Sequence, residues 1–227
     1  MSSSASSSEF VADPEEVASL TSSRPVGHGP VPAYDWIAHH ERQRPGKEAV
    51  RDLGSGRSFT YAELDRRIDA MAAYLASVGV GRGDRVGVLA HNGVEFFDVQ
   101  FACARRGAIC VLLNWRLTVT ELEYILNDSS PMLLVHDISF AESAEELQRR
   151  CSIGELLAID GGEATSAYEQ AAARFDGQDG GRAELTHDDL ITIMYTSGTT
   201  GNPKGVMLSN WNTLSNILCV QSAFKVY

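Results

Sequence analysis

The sequence predicts an α/β fold: an open, mainly parallel sheet with helices on both faces. Two observations carry this. Continuous apolar runs recur through the chain at 85–90 (RVGVLA), 108–113 (AICVLL), 132–136, 156–159 and 190–195 (LITIMY). Strands without polar alternation are those covered on both faces, as in a parallel sheet. Between the runs lie segments with apolar residues at helical spacing, and strand–helix repetition of this kind stacks helices on both sides of one sheet.

The elements follow in order. Residues 1–34 form a lead-in: 2–8 are almost all Ser, and Pro14, Pro25 and Pro30 follow. Such a segment has little to bury, and a disordered tail is expected. The ordered domain is expected over 35–227. A short helix starts at Asp35, with Ile37 and His40 on one face. Residues 48–51 and 58–60 read as a hairpin around Gly54-Ser55-Gly56. Thr60 and Glu63 have the spacing of a capping box, and Leu64, Ile68, Met71, Ala72, Leu75 and Val78 mark the buried face of the helix they start. Gly79 and Gly81 stop it. Helices are then expected at 94–106, 120–126 and 141–150. The acidic, Gly/Ala-rich stretch 161–189 reads as a surface connection with a helix near 166–174. Strand 190–195, a glycine-rich loop, strand 206–209 and a helix from Asn210 complete the chain.

Composition narrows the function classes. The 227 residues carry a net charge of −11, with no Lys/Arg-rich face of the kind that clamps nucleic acid. An anionic ligand must therefore be held by local features. No stretch reaches the roughly 18 apolar residues of a membrane span, and the N-terminus lacks the regions of a secretory signal; a cytoplasmic location is expected. Cys103, Cys110, Cys151 and Cys219 show no metal-ligand spacing and read as buried small hydrophobes. His28, His39, His40, His91, His136 and His187 are scattered, and most read as solvated or loop positions. Asp188-Asp189 and Glu145-Glu146 read as solvated faces.

The chemistry concentrates in Tyr195-Thr196-Ser197-Gly198-Thr199-Thr200-Gly201-Asn202-Pro203-Lys204-Gly205. A triphosphate needs many donors around one crowded anion. Gly198, Gly201 and Gly205 let backbone N–H groups turn inward as an anion nest. Thr196, Ser197, Thr199 and Thr200 add hydroxyls, Lys204 a cation, and Pro203 stiffens the approach to it. A Walker A loop is excluded: there Gly-Lys-Ser/Thr runs into a helix, whereas Lys204 sits between Pro203 and Gly205 and leads into a strand. A polar turn between core strands uses the same residue types.

YTSGTTGNPKGV resembles the signature of the adenylate-forming superfamily, which includes acyl-CoA synthetases, peptide-synthetase adenylation domains and luciferases. Phe59-Thr60-Tyr61-Ala62-Glu63-Leu64 resembles the family's early FTYAEL block, and 107–117 (GAICVLLNWRL) its GAV-x-VPLN-x-RL block. Leu112 stands where that block usually has proline. The Asn114-x-Arg116-Leu117 form points to the fatty-acyl and aryl acyl-CoA ligase branch, and the likeness runs from about Asp35 to the end.

The resemblance implies the first half of the large N-terminal domain of such an enzyme. It implies ATP, Mg²⁺ and coenzyme A as cofactor and co-substrates, and a fatty or aromatic carboxylic acid as substrate. Thr196, Ser197, Gly198, Thr199, Thr200, Gly201 and Lys204 would hold the β- and γ-phosphates, with Thr196 also touching Mg²⁺. The family's adenine, acyl and thiol sites and its catalytic lysine lie beyond the position of Tyr227. The expectation is an N-terminal portion with no catalytic residue of its own, inactive alone, and prone to self-association or to pairing with the missing C-terminal half. The competing expectation is a non-catalytic remnant of that fold that binds nucleotide or a partner.

Overall fold

A computed structural model describes residues 33–196 and 202–224. The Ser-rich tail and most of the lead-in, like the centre of the glycine-rich loop, lie outside the described residues. The first helix, α1 (Trp36–Gln43), starts where the sequence places it: Asp35 Oδ1 accepts the Ala38 amide at 3.0 Å. Strands β1 (Glu48–Arg51) and β2 (Ser58–Thr60) pair antiparallel as a separate two-stranded sheet. The capping box then opens α2 (Tyr61–Ser77): Thr60 Oγ1 accepts the Glu63 amide at 3.3 Å, and Glu63 Oε2 accepts the Thr60 amide at 2.8 Å. Leu64, Ile68, Met71, Ala72 and Leu75 are all buried, as their spacing requires.

The main sheet comprises β3 (Arg85–Leu89), β4 (Ile109–Leu112), β5 (Leu133–Asp137), β6 (Glu155–Ile159), β7 (Leu190–Thr196) and β8 (Lys204–Ser209). Their spatial order is β6-β5-β3-β4-β7-β8. The first five run parallel and β8 returns antiparallel to β7. The connecting helices are α3 (Val94–Arg106), α4 (Val119–Ser129), α5 (Ala141–Arg150) and α6 (Ala167–Arg174), and α7 (Asn210–Phe224) ends the described chain.

Topology decides which face each helix covers. The step from β3 to β4 runs one way along the sheet and the step from β4 to β5 runs back, so right-handed crossovers place α3 and α4 on opposite faces. The core divides accordingly. One cluster joins Ile68 and Met71 of α2, Val99 and Cys103 of α3 and Tyr168 of α6. The other joins Leu122, Ile125 and Leu126 of α4 to Ala144 and Leu147 of α5. Among the described residues no helix is long and apolar enough to cross a membrane.

Four expectations change. The stretch 161–189 is more than a surface connection: Tyr168 is fully buried, and Gly180 sits against the backbone of α2. Its acidic character is partly spent on internal pairing, because Glu169 engages two arginines. Helix α4 runs past both expected ends, since Thr118 and Glu121 form a second capping box. Strand β8 begins at Lys204, so the lysine and Gly205 belong to the ladder rather than to the loop. Cys219 is exposed, whereas the other three thiols are buried.

A charged cluster lies inside the first core cluster. Arg67 donates to Asp98 Oδ2 at 2.9 Å and, through both terminal nitrogens, to Glu169 at 2.8 and 2.9 Å. Arg57 pairs with Glu95 and reaches Glu169 at 3.2 Å. The Tyr168 hydroxyl donates to Asp98 Oδ2 at 3.3 Å, and among the described residues Asp98 Oδ1 has no partner. These contacts bind the β1–β2 hairpin, α2, α3 and α6 together.

Candidate phosphate-binding hairpin

In open α/β sheets the carboxyl ends of the parallel strands form the edge where ligands bind. Strand β7 delivers Tyr195 and Thr196 to that edge and β8 carries Lys204 and Gly205 away from it. Thr196 is the cross-strand partner of Lys204, and Tyr195 of Gly205. Thr196 and Lys204 are both exposed. Among the described residues no hydrogen bond or ion pair occupies the Lys204 amine. A hydroxyl-bearing residue and an exposed cationic one thus occupy paired positions across the mouth of the hairpin. Ser197, Gly198, Thr199, Thr200 and Gly201, the other expected phosphate ligands, lie outside the described residues.

Neighbouring loops complete this edge. After β4, Asn114 Oδ1 accepts the Arg116 amide at 3.1 Å, a local turn that ties down the strand end. The Arg116 guanidinium stands 4.1 Å from the centre of the Trp115 ring. After β3, His91 Nδ1 lies 2.9 Å from Asp137 Oδ2 at the end of β5. The His91 ring also stacks on Phe140, with centroids 5.1 Å apart, and approaches Trp115 at 4.7 Å. Burial works against ionisation of Asp137, yet the His91 and Ser139 donors hold its carboxyl below the usual range.

His91 is an exposed loop position, as the sequence reading has it, but it is paired with a carboxylate that reading did not foresee. Its partner lies 46 residues away, and only the side-by-side placement of β3 and β5 joins them. His136 departs from the solvated-or-loop reading: it is buried on β5, with Nδ1 3.0 Å from the Asp137 carbonyl oxygen. Among the described residues no group of three His, Cys, Asp or Glu side chains is placed to hold a metal. Thr196 is the only expected metal contact within the described residues, and a single hydroxyl can share a hard cation only with phosphate oxygens and water.

The family profile described as AMP-binding enzyme matches residues 37–226. A feruloyl-CoA synthase from an Amycolatopsis species is 37% identical over 185 residues, covering 82% of this chain and 35% of that protein. The chain therefore spans about a third of the length of this curated relative. Among solved structures, the inhibitor-bound N-terminal domain of FACL13 from Mycobacterium tuberculosis superposes with a TM-score of 0.69 at 28% identity, covering 77% of this chain and 43% of that one. ATP-bound MatB from Rhodopseudomonas palustris gives a TM-score of 0.69 at 29% identity, covering 83% and 38%.

Proposed function

The chain belongs to the AMP-binding enzyme family, and on that premise we propose that the β7–β8 mouth is the phosphate grip of an ATP-dependent acid–thiol ligase. In such a ligase the carboxylate of the acid attacks the α-phosphorus of ATP and displaces pyrophosphate, and the coenzyme A thiol then takes the acyl group with release of AMP. The observation that carries this is the exposed Lys204 directly across from Thr196 at the carboxyl end of the sheet, its amine without a hydrogen bond or ion pair among the described residues. In this reading Lys204 neutralises the β- and γ-phosphates. Thr196, Ser197, Thr199 and Thr200 donate hydroxyl hydrogen bonds, and Gly198 and Gly201 let backbone amides approach. Mg²⁺ bound with the nucleotide would supply further charge neutralisation, with the Thr196 hydroxyl beside it. The chain's own work is positioning and charge stabilisation, which phosphate chemistry chiefly requires. An aromatic acid is the favoured substrate class, supported by the likeness to a feruloyl-CoA synthase; a fatty acid is the other.

The share of the relatives covered by the chain supports a narrower statement. The 227-residue polypeptide alone binds nucleotide phosphates without completing the reaction. Val206, Met207, Trp211, Ile217 and Leu218 expose apolar surface on β8 and α7, which favours self-association or docking of further polypeptide. The other reading is a non-catalytic remnant of the fold that binds nucleotide or a partner. Pyrophosphate release that appears only when a second polypeptide is added favours the ligase, and nucleotide binding without release under any combination favours the remnant.

The direct test is equilibrium titration with MgATP. Lys204→Ala is expected to weaken binding by about tenfold or more, the loss of one charge-assisted contact. Equal affinity in the variant would remove Lys204 from the grip.

A further inference from the structure

Two residues of the glycine-rich motif, Tyr195 and Gly205, stand against each other across the ladder, and Tyr195 also engages the core. Tyr195 packs with Ile193 against the core cluster beneath α4 and α5. Its hydroxyl donates to Asp128 Oδ2 at 2.5 Å, joining β7 to a helix residue 67 positions earlier. Burial first, and then the bond to Asp128, push the Tyr195 phenol upward, so the hydroxyl keeps its proton and stays a donor. Gly205 stands across the ladder from it. A Cβ at Gly205 would lie 3.1 Å from Tyr195 Cζ, 3.3 Å from its hydroxyl oxygen and 3.1 Å from Ile193 Cγ2. Gly205 is not among the positive-φ glycines. What demands glycine there is the tyrosine ring, not the backbone.

Register in an antiparallel pair is normally fixed by burying one face of the strand. Strand β8 lacks that constraint at the mouth, since residues 204–207 are all exposed. A slip by one residue would turn Lys204 to the opposite face of the sheet. We propose that Asp128, Tyr195 and Gly205 are positioning residues that set this register. The Tyr195 ring is fixed at its tip by Asp128 and admitted over β8 by the bare α-carbon of Gly205. It thereby holds the adjacent Thr196–Lys204 pair in place. The inference rests on reading that pair as the phosphate grip.

The test combines amide hydrogen exchange along β7 and β8 with MgATP titration, in the wild-type chain and five variants, the last being the Tyr195→Ala/Gly205→Ala pair. Asp128→Ala is expected to speed exchange of the paired amides at 193–196 and 204–207 by about tenfold, the worth of one such hydrogen bond. It should leave β3, β4 and β5 unchanged and weaken MgATP binding severalfold. Asp128→Asn keeps an acceptor oxygen and should restore most of both. Gly205→Ala should act like Asp128→Ala in the wild-type background and lose its effect alongside Tyr195→Ala, where no ring is displaced.

Unchanged ladder exchange in Asp128→Ala and Gly205→Ala overturns the inference and leaves the phosphate reading standing. Faster exchange with unchanged MgATP affinity also overturns it, because the tether would then be structural alone. A wild-type chain that takes up no MgATP defeats the phosphate reading, and the positioning role falls with it. The exchange data would still report whether the three residues set the register.

Discussion

Arg67→Ala is expected to destabilise the chain by about 3–5 kcal/mol at pH 8, the cost of leaving a buried charge without its partner, and by clearly less at pH 5. Arg67 holds two carboxylates, Asp98 and Glu169, inside the first core cluster. There, two arginines, Arg57 and Arg67, face three carboxylates, Glu95, Asp98 and Glu169, with Asp52 at the margin 3.9 Å from Arg57. Two cations cannot balance three anions, and the imbalance falls on the most buried of the three. Burial pushes the Asp98 carboxyl up to about 7, outweighing the pull of Arg67.

The direction of the pH effect follows. The folded chain holds the Asp98 proton more tightly than the unfolded chain does. That contribution is complete below about pH 4 and is lost as the pH rises to about 7. The displacement from 3.8 to about 7 corresponds to roughly 4 kcal/mol. Glu169 moves the other way. Burial opposes its ionisation, but Arg67 and Arg57 hold it below its ordinary value, so its contribution disappears on acidification. Wild-type stability should therefore peak near pH 5 and decline toward pH 8. Asp98→Asn, which cannot ionise, should flatten the alkaline side. Urea midpoints at pH 5, 6.5 and 8 measure both effects. A decline in Asp98→Asn as steep as in the wild type would show that Asp98 is not the titrating group.

Gly180→Ala is the second large effect, expected to cost about 3 kcal/mol by forcing atoms into a filled space. A Cβ at Gly180 would lie 2.4 Å from the Ala73 amide nitrogen and 2.5 Å from the Ala72 carbonyl carbon. Both are main-chain atoms of α2, so no side chain can rotate away. The segment itself must lift. Lifting it strains the 2.5 Å bond from Arg106 to the Gly180 carbonyl, and it pulls on Arg182, which reaches Asp35 at 2.6 Å and Asp69 at 3.1 Å. Gly46→Ala is the control: nothing lies within 4 Å of its Cβ position, and a shift within about 0.5 kcal/mol is expected. In a chain of this size 3 kcal/mol lowers the melting temperature by roughly 6–12 °C. Equal melting of the two variants would mean that Gly180 is not docked on α2.

The same two regions show what the sequence could and could not reveal. Local signals carried far. The Thr60–Glu63 box, the apolar runs of β3 to β7 and the spacing along α2 are properties of neighbours in the chain, and each element lies where they place it. What stayed hidden depends on side chains far apart in sequence. Arg67 meets Glu169 across 102 residues, His91 meets Asp137 across 46, and Tyr195 meets Asp128 across 67. The acidic stretch near Glu169 reads as solvated until α6 lays it against two arginines. The site divides in the same way. The composition of the glycine-rich loop underlies the proposed phosphate grip, but nothing local assigns Lys204 and Gly205 to a strand. Nor does it reveal that Gly205 serves the tyrosine ring.

Competition at equilibrium tests the central claim, that the β7–β8 mouth grips phosphates, most directly. Labelled MgATP bound to the 227-residue chain is challenged with tripolyphosphate, AMP and adenosine. Tripolyphosphate is expected to displace the label nearly as well as ATP does, AMP weakly and adenosine not at all, with Lys204→Ala losing the tripolyphosphate response. Displacement by adenosine together with indifference to tripolyphosphate would place recognition on the base and contradict the account.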